Sequence, residues 1–116
     1  MASAALHHPR IEDLQLEGVL HALSDPIRLQ MVRELARRDE PCACGSIDVP
    51  VSKSTRTHHW RVLRENGVIR QVECGTAKLT ELRREDLDTR FPGLLGVVLR
   101  EQADRETATP AASLRA

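Results

Sequence analysis

A chain of 116 residues and 13.0 kDa has room for one domain and one hydrophobic core, and none for a second, catalytic domain. Its content of 41% hydrophobic and 29% charged residues is that of a folded chain. Two aromatic residues, Trp60 and Phe91, are too few for a β-sandwich or a base-stacking sheet. The net charge is +0, but residues 51–84 hold eight basic and three acidic groups, a net of +5, against −3 over 1–50 and −2 over 85–116. Such a block is either the footprint of a surface for a polyanion, doubled by dimerisation, or a solvated charged helix face.

Residues 1–10 carry no periodicity and are expected to form a flexible N-terminal arm. No apolar run reaches the roughly 20 residues of a membrane span and Met1–Arg10 has no apolar signal core, so a cytoplasmic location without a membrane partner is expected. From Ile11 the apolar positions Ile11, Leu14, Val19, Leu20 and Leu23 predict an amphipathic helix to about Ala22. Asp25 as N-cap and Pro26 as first helical residue open a second helix, which buries Ile27, Met31, Val32 and Leu35 and frays at Arg37-Arg38-Asp39. Pro41–Pro50 is turn-rich, with room for a short helix over Cys44–Asp48. Ser52 caps a helix over Lys53–Glu65, closed by Asn66-Gly67. Val68–Val72 and Ala77–Thr80 flank Glu73-Cys74-Gly75-Thr76 and predict a two-stranded hairpin. The last helical region starts at Arg84, breaks at Phe91-Pro92-Gly93 and continues through Leu94–Leu99 to about Arg105. The expected fold is mainly α with a small β-hairpin wing: one domain over 11–105 and a disordered tail over 106–116.

On the Lys53–Glu65 helix, Trp60 and Leu63 share one face, with Arg56 one turn before Trp60. Lys53, Ser54, Thr57, His58 and Arg61 share another. Short donors and acceptors at the start of a helix suit base edges in a major groove, and longer cations at its rim suit phosphates. Thr76 and Lys78 in the wing, with Arg70 on its first strand, are candidates for a second phosphate run or the minor groove. The alternative for the hairpin is a cap over the core.

The segment HALSDPIRLQMVREL, with its L-x-D-P-x-R start, and the segment VSKSTRTHHWRVLRENGVI resemble the second and recognition helices of the ArsR/SmtB family of bacterial repressors. The Gly75-Thr76 wing and apolar last helix fit the same pattern, over about Glu17 to Leu99. The resemblance implies a homodimeric winged helix-turn-helix repressor on double-stranded operator DNA, released by a small inducer. It implies a dimer interface from the first and last helices, here Ile11, Leu14, Leu94, Leu95 and Val98. It implies base contacts by Ser54, Thr57 and His58 and phosphate contacts by Lys53 and Arg61. Arg56 departs from the family's inward apolar residue. Either its stem lies along the core edge or it becomes a DNA contact. His59 matches a family histidine expected to be partly buried and hydrogen-bonded.

Three cysteines, an odd number, give no secreted disulfide framework and fit a reducing compartment. Cys42-Ala43-Cys44 is similar to the Cys-x-Cys of the family's metalloid sensors, which implies a soft metal or metalloid ion as candidate cofactor. Ile47 stands where the arsenite-type pattern has its third Cys. His7 and His8 bring no thiol to the arm, and the last helix offers Glu101, Asp104 and Glu106 but no His. Cys74 at the wing tip is a candidate redox thiol, and inert thiols are the third reading. No nucleophile–base pair, Gly-rich phosphate loop or Cys-x-x-Cys opening a helix is present, so the chain is not expected to be an enzyme. The alternative to a DNA-binding regulator is a winged helix that only dimerises, which would have no need of the basic block.

Overall fold

The computed structural model describes residues 6–107, with side chains to Arg100. A 3-10 turn over Ile11–Asp13 leads to α1 (Leu16–Leu23) and α2 (Pro26–Ala36). Strand β1 (Cys42–Ala43) and a second 3-10 turn (Cys44–Ser46) precede α3 (Lys53–Glu65). Strands β2 (Ile69–Cys74) and β3 (Ala77–Leu82) form the wing, and α4 (Arg84–Arg90) and α5 (Leu94–Thr107) close the chain. The fold is mainly α with a small sheet, as expected.

The α1–α2 junction is built by three consecutive signals. Asp25 Oδ2 accepts from the backbone N–H groups of Ile27 (2.9 Å) and Arg28 (3.0 Å), and Pro26 occupies a position whose N–H would otherwise be orphaned. Arg28 then turns back on α1. Its Nε donates to Ala22 O (2.8 Å), a carbonyl at the end of α1, and its Nη2 to His21 O (3.1 Å), which also accepts from the backbone N–H and hydroxyl of Ser24. The third arm of the guanidinium, Nη1, donates to Nδ1 of His59 on α3 at 3.1 Å. One buried side chain therefore fixes three helices.

The first helix is shorter than its periodicity predicts. Leu14 and Gln15 are extended, which breaks the helix and drives Leu14 into the core. The reason is Gly67: a Cβ there would lie 2.0 Å from Leu14 Cδ2, and its φ of +82° is the left-handed geometry that closes α3. Leu14 thus sits on a bare backbone, joined by Val19, Met31, Val32, Leu35, Ile47, Leu63, Val68, Ile69 and Leu87 in the core. Ile27 is only half-buried.

The sheet has three strands, in the order β1-β3-β2, not two. Cys42 pairs with Thr80 and Ala43 with Leu79. Two residues carry no alternation to be read, so β1 is formed by its partner rather than by its own sequence. The predicted helix over Cys44–Asp48 is one 3-10 turn. Residues 6–10 of the expected arm lie against the sheet: Gln71 N–H donates to His8 Nε2 (3.0 Å) and Arg83 Nη1 to Pro9 O (2.9 Å). α5 continues to Thr107, past its expected end near Arg105, and the rest of the expected tail, residues 108–116, lies outside the described ones.

Two residues expected at a dimer interface are corrected by burial. Leu14 and Leu95 are 1% and 4% exposed within the single chain, so neither offers free surface to a second copy. Ile11, Leu94 and Val98 are half-buried against the same core. Large apolar side chains left exposed among the described residues include Leu16 and Leu20 on α1 and Val97 on α5.

Replacing Arg28 by Met leaves the Ala22 carbonyl and an imidazole nitrogen without their donor, and should lower stability by about 2–4 kcal/mol in urea unfolding. Arg37→Ala, which breaks the exposed pair with Glu34, should cost under about 1 kcal/mol. Equal costs would show that the buried guanidinium has no special role.

Candidate nucleic-acid interface

Ser52 starts α3 by accepting from Thr55 N–H at 3.2 Å, with its own hydroxyl also close to those of Ser54 and Thr55. The helix then divides by face. His59, Trp60 and Leu63 are buried, and Lys53, Ser54, Thr57, His58 and Arg61 are exposed together. Arg61 Nη2 and His58 Nδ1 lie 3.4 Å apart, so these two lean on one another along the outer face. Arg56 is half-buried, unlike the exposed Lys53, Ser54, Thr57, His58 and Arg61.

His59 is a structural histidine. Arg28 donates to Nδ1, which must hold a lone pair, so the proton sits on Nε2, 3.8 Å from Asp25 Oδ2. Burial pushes its pKa down, Asp25 opposes that, and Arg28 and His58 add to it. The ring that orients α3 is thereby kept neutral.

In the wing, Thr76 and Lys78 are exposed. Strand pairing puts Lys78 opposite Glu73 and Thr80 opposite Gln71, and that is the side of the sheet on which Arg64 of α3 donates to Gln71 Oε1 (2.8 Å). Arg70 is one position out of phase and faces the other way, within 3.4 Å of Asp86 at the start of α4. The structure brings Lys78 to the α3 side and leaves Arg70 away from it.

The cysteines separate. Cys74 is exposed at the wing turn and Cys42 is half-buried in β1. Cys44 Sγ accepts from Gln71 Nε2 (3.0 Å) and lies 2.9 Å from Thr80 Oγ1, while Gln71 Nε2 also reaches Thr80 Oγ1 at 3.3 Å. The Ile47 position is sealed in the core. Among the described residues no three His, Cys, Asp or Glu side chains converge as a metal site would need. The donor set does not fit a soft ion held at Cys42 and Cys44.

Sequence reasoning missed Gln71, Arg64 and His8. A signal existed for Gln71, a polar residue at the inward phase of a strand whose Ile69 is buried. The docking of His8 had none.

Residues 23–72, which hold the α2–α3 pair and most of the first wing strand, match the model of a helix-turn-helix domain. An HTH-type transcriptional regulator of Bacillus subtilis (strain 168), YceK, is 30% identical over 79 residues, spanning 66% of this chain and 79% of the relative. The arsenical resistance operon repressor of Staphylococcus xylosus is 32% identical over 75 residues, 64% of this chain and 71% of that protein. The chain belongs to the ArsR/SmtB family of winged helix-turn-helix transcriptional regulators. An ArsR-like transcriptional regulator from Rhodococcus sp. RHA1 superimposes with a TM-score of 0.58 at 25% identity, covering 78% of this chain and 84% of that one. This family is one of DNA-binding transcriptional repressors, not of enzymes. Among the described residues of this ArsR-family chain, no helix is long and apolar enough to cross a membrane.

Burial also lowers the pKa of His8, helped by the charges of Arg64, Arg83 and Arg70 and opposed by a hydrogen bond to Leu6. His8 and His59 therefore bind a proton less readily in the folded chain than in the unfolded one. Stability should be full above about pH 6.5 and fall as the pH drops below it. The urea midpoint should be lower at pH 5.5 than at pH 7.5, and His8→Gln with His59→Gln should narrow the gap. A higher midpoint at pH 5.5 would contradict both assignments.

Proposed function

We propose that the chain is a homodimeric cytoplasmic repressor that reads operator DNA with α3 and grips its backbone with the wing. The observation that carries this reading is the exposed set Lys53, Ser54, Thr57, His58 and Arg61 on a helix locked by Arg28 and His59. Ser54, Thr57 and His58 are assigned to base edges. Lys53, Arg61, Thr76 and Lys78 are assigned to phosphates, with Arg56 joining them. Arg70 is left out because it faces Asp86.

The dimer contact is assigned to the exposed Leu16 and Leu20 of α1 and Val97 of α5, with Leu94, Val98 and Ile11 at the margin. Apolar side chains of this size left exposed support a second copy as their cover. Release by a small inducer completes the cycle. The relative's name specifies arsenicals, but the donor set around Cys44 gives that ion no support here.

Arg61→Ala should weaken binding to operator and random duplex alike, and log affinity should fall steeply with log salt. Thr57→Ala or His58→Ala should cost about 1–3 kcal/mol on the operator and little on random DNA, measured by fluorescence anisotropy. Equal losses on both duplexes would remove these side chains from base readout.

Val97→Asp should turn the dimer into a monomer by light scattering and abolish tight operator binding with it. Wild-type protein that scatters as a monomer at micromolar concentration would refute the dimer.

A further inference from the structure

A cleft of about 300 Å³ lies between α3, the inward side of the wing and Leu6 of the arm. Leu6 and Trp60 give it apolar walls. Arg61 and Arg64 of α3 and Lys78 of β3 supply three cations, and none of the described residues that line it is acidic. The amide of Gln71 at its edge is already engaged, accepting from Arg64 and donating to Cys44 and Thr80, so this edge is held in place. Two further donors on the lining residues, Trp60 Nε1 and Arg64 Nε, are buried without an acceptor among the described residues.

Three lining cations, with Glu73 opposite Lys78 as the acid across the strands and no carboxylate in the lining itself, select a ligand bearing negative charge and acceptor oxygens. An indole and a leucine in the same lining select a flat apolar body. The volume lies at the lower end of small-molecule sites, which limits the ligand to a small one. We propose that this cleft binds a small organic anion, a flat apolar body carrying a carboxylate, with the body against Trp60 and Leu6 and the carboxylate toward Arg64, Arg61 and Lys78. Arg61 and Lys78 are also the cations assigned above to DNA phosphates. In that one respect the inference rests on the DNA reading: ligand and operator draw on the same charges, and each weakens the other.

Trp60 is the single tryptophan, so its emission reports occupancy directly in the full chain without DNA. Benzoate, benzamide, benzylamine and inorganic phosphate are titrated in parallel at constant ionic strength. Benzoate should give a saturable change, and its dissociation constant should rise at least tenfold in Arg64→Gln and in Lys78→Gln. Lys78 is exposed, so that variant keeps the test valid if the Arg64 variant fails to fold. The other three probes should give no saturable change over the same range. The proposal is overturned by no saturation with benzoate, by an equal response to benzamide or to phosphate, or by affinity untouched in the substituted chains. Benzoate should also raise the dissociation constant for an operator duplex. A chain that binds benzoate but no duplex would sink the DNA reading and leave the cleft standing; one that binds the duplex but not benzoate would do the reverse.

Discussion

The fold turns on one buried guanidinium. Arg28 belongs to α2, caps the last carbonyls of α1 and holds His59 of α3, so the mutual setting of the helix-turn-helix pair rests on three hydrogen bonds from one side chain. Burying a charge without full partners is expensive, and every arm of this one is engaged. The same arrangement selects the state of its partner, because an imidazolium has no lone pair to offer Arg28. Asp25 completes the set, capping α2 through its carboxylate while lying 3.8 Å from the far nitrogen of His59. A helix that reads DNA must hold its angle to the rest of the domain, and here that angle is set by a polar cluster rather than by apolar packing alone.

A second constraint works through absence of a side chain. Gly67 closes α3 in the left-handed region, and the space it leaves is filled by Leu14. Through that contact the end of α3 reaches the segment before α1, and Arg90 of α4 ties the same place by donating to Leu14 O at 3.2 Å. The arm continues the connection, with His8 on β2 and Pro9 on Arg83. Segments far apart in sequence are thus joined around one glycine.

Much of this was legible in the residues, and what was not has identifiable causes. Asp25-Pro26, Ser52 and Asn66-Gly67 are local signals whose chemistry acts within a few residues, so α2 and α3 emerge at their observed ends. The exposed face of α3 follows from periodicity for the same reason. Leu14 was misplaced because helical spacing cannot show that a bare glycine 53 positions later accepts it, and Leu95 because an apolar stripe looks the same whether it meets its own core or a second copy. β1 and the docking of His8 depend on partners in β3 and β2 and leave no pattern of their own. Cys44 was legible as a residue but not as an acceptor for Gln71, a contact made only by the closed sheet.

The basic block also means something different once folded. Of its eight cations, Arg83 is buried against Asp86 and Pro9 O, Arg84 donates to Ala36 O, Arg70 faces Asp86 and Arg64 holds Gln71. These four serve the fold, and a net charge of +5 overstates the field offered to a duplex. Lys53, Arg56, Arg61 and Lys78 are the remainder, all on α3 or the adjacent wing strand. Four cations fall short of the roughly 6–10 phosphate contacts of a tight operator complex, and two chains supply that number. On the proposed function the dimer is therefore required by electrostatics as well as by exposed apolar surface. Any ligand that neutralised Arg61 and Lys78 would halve what each chain brings.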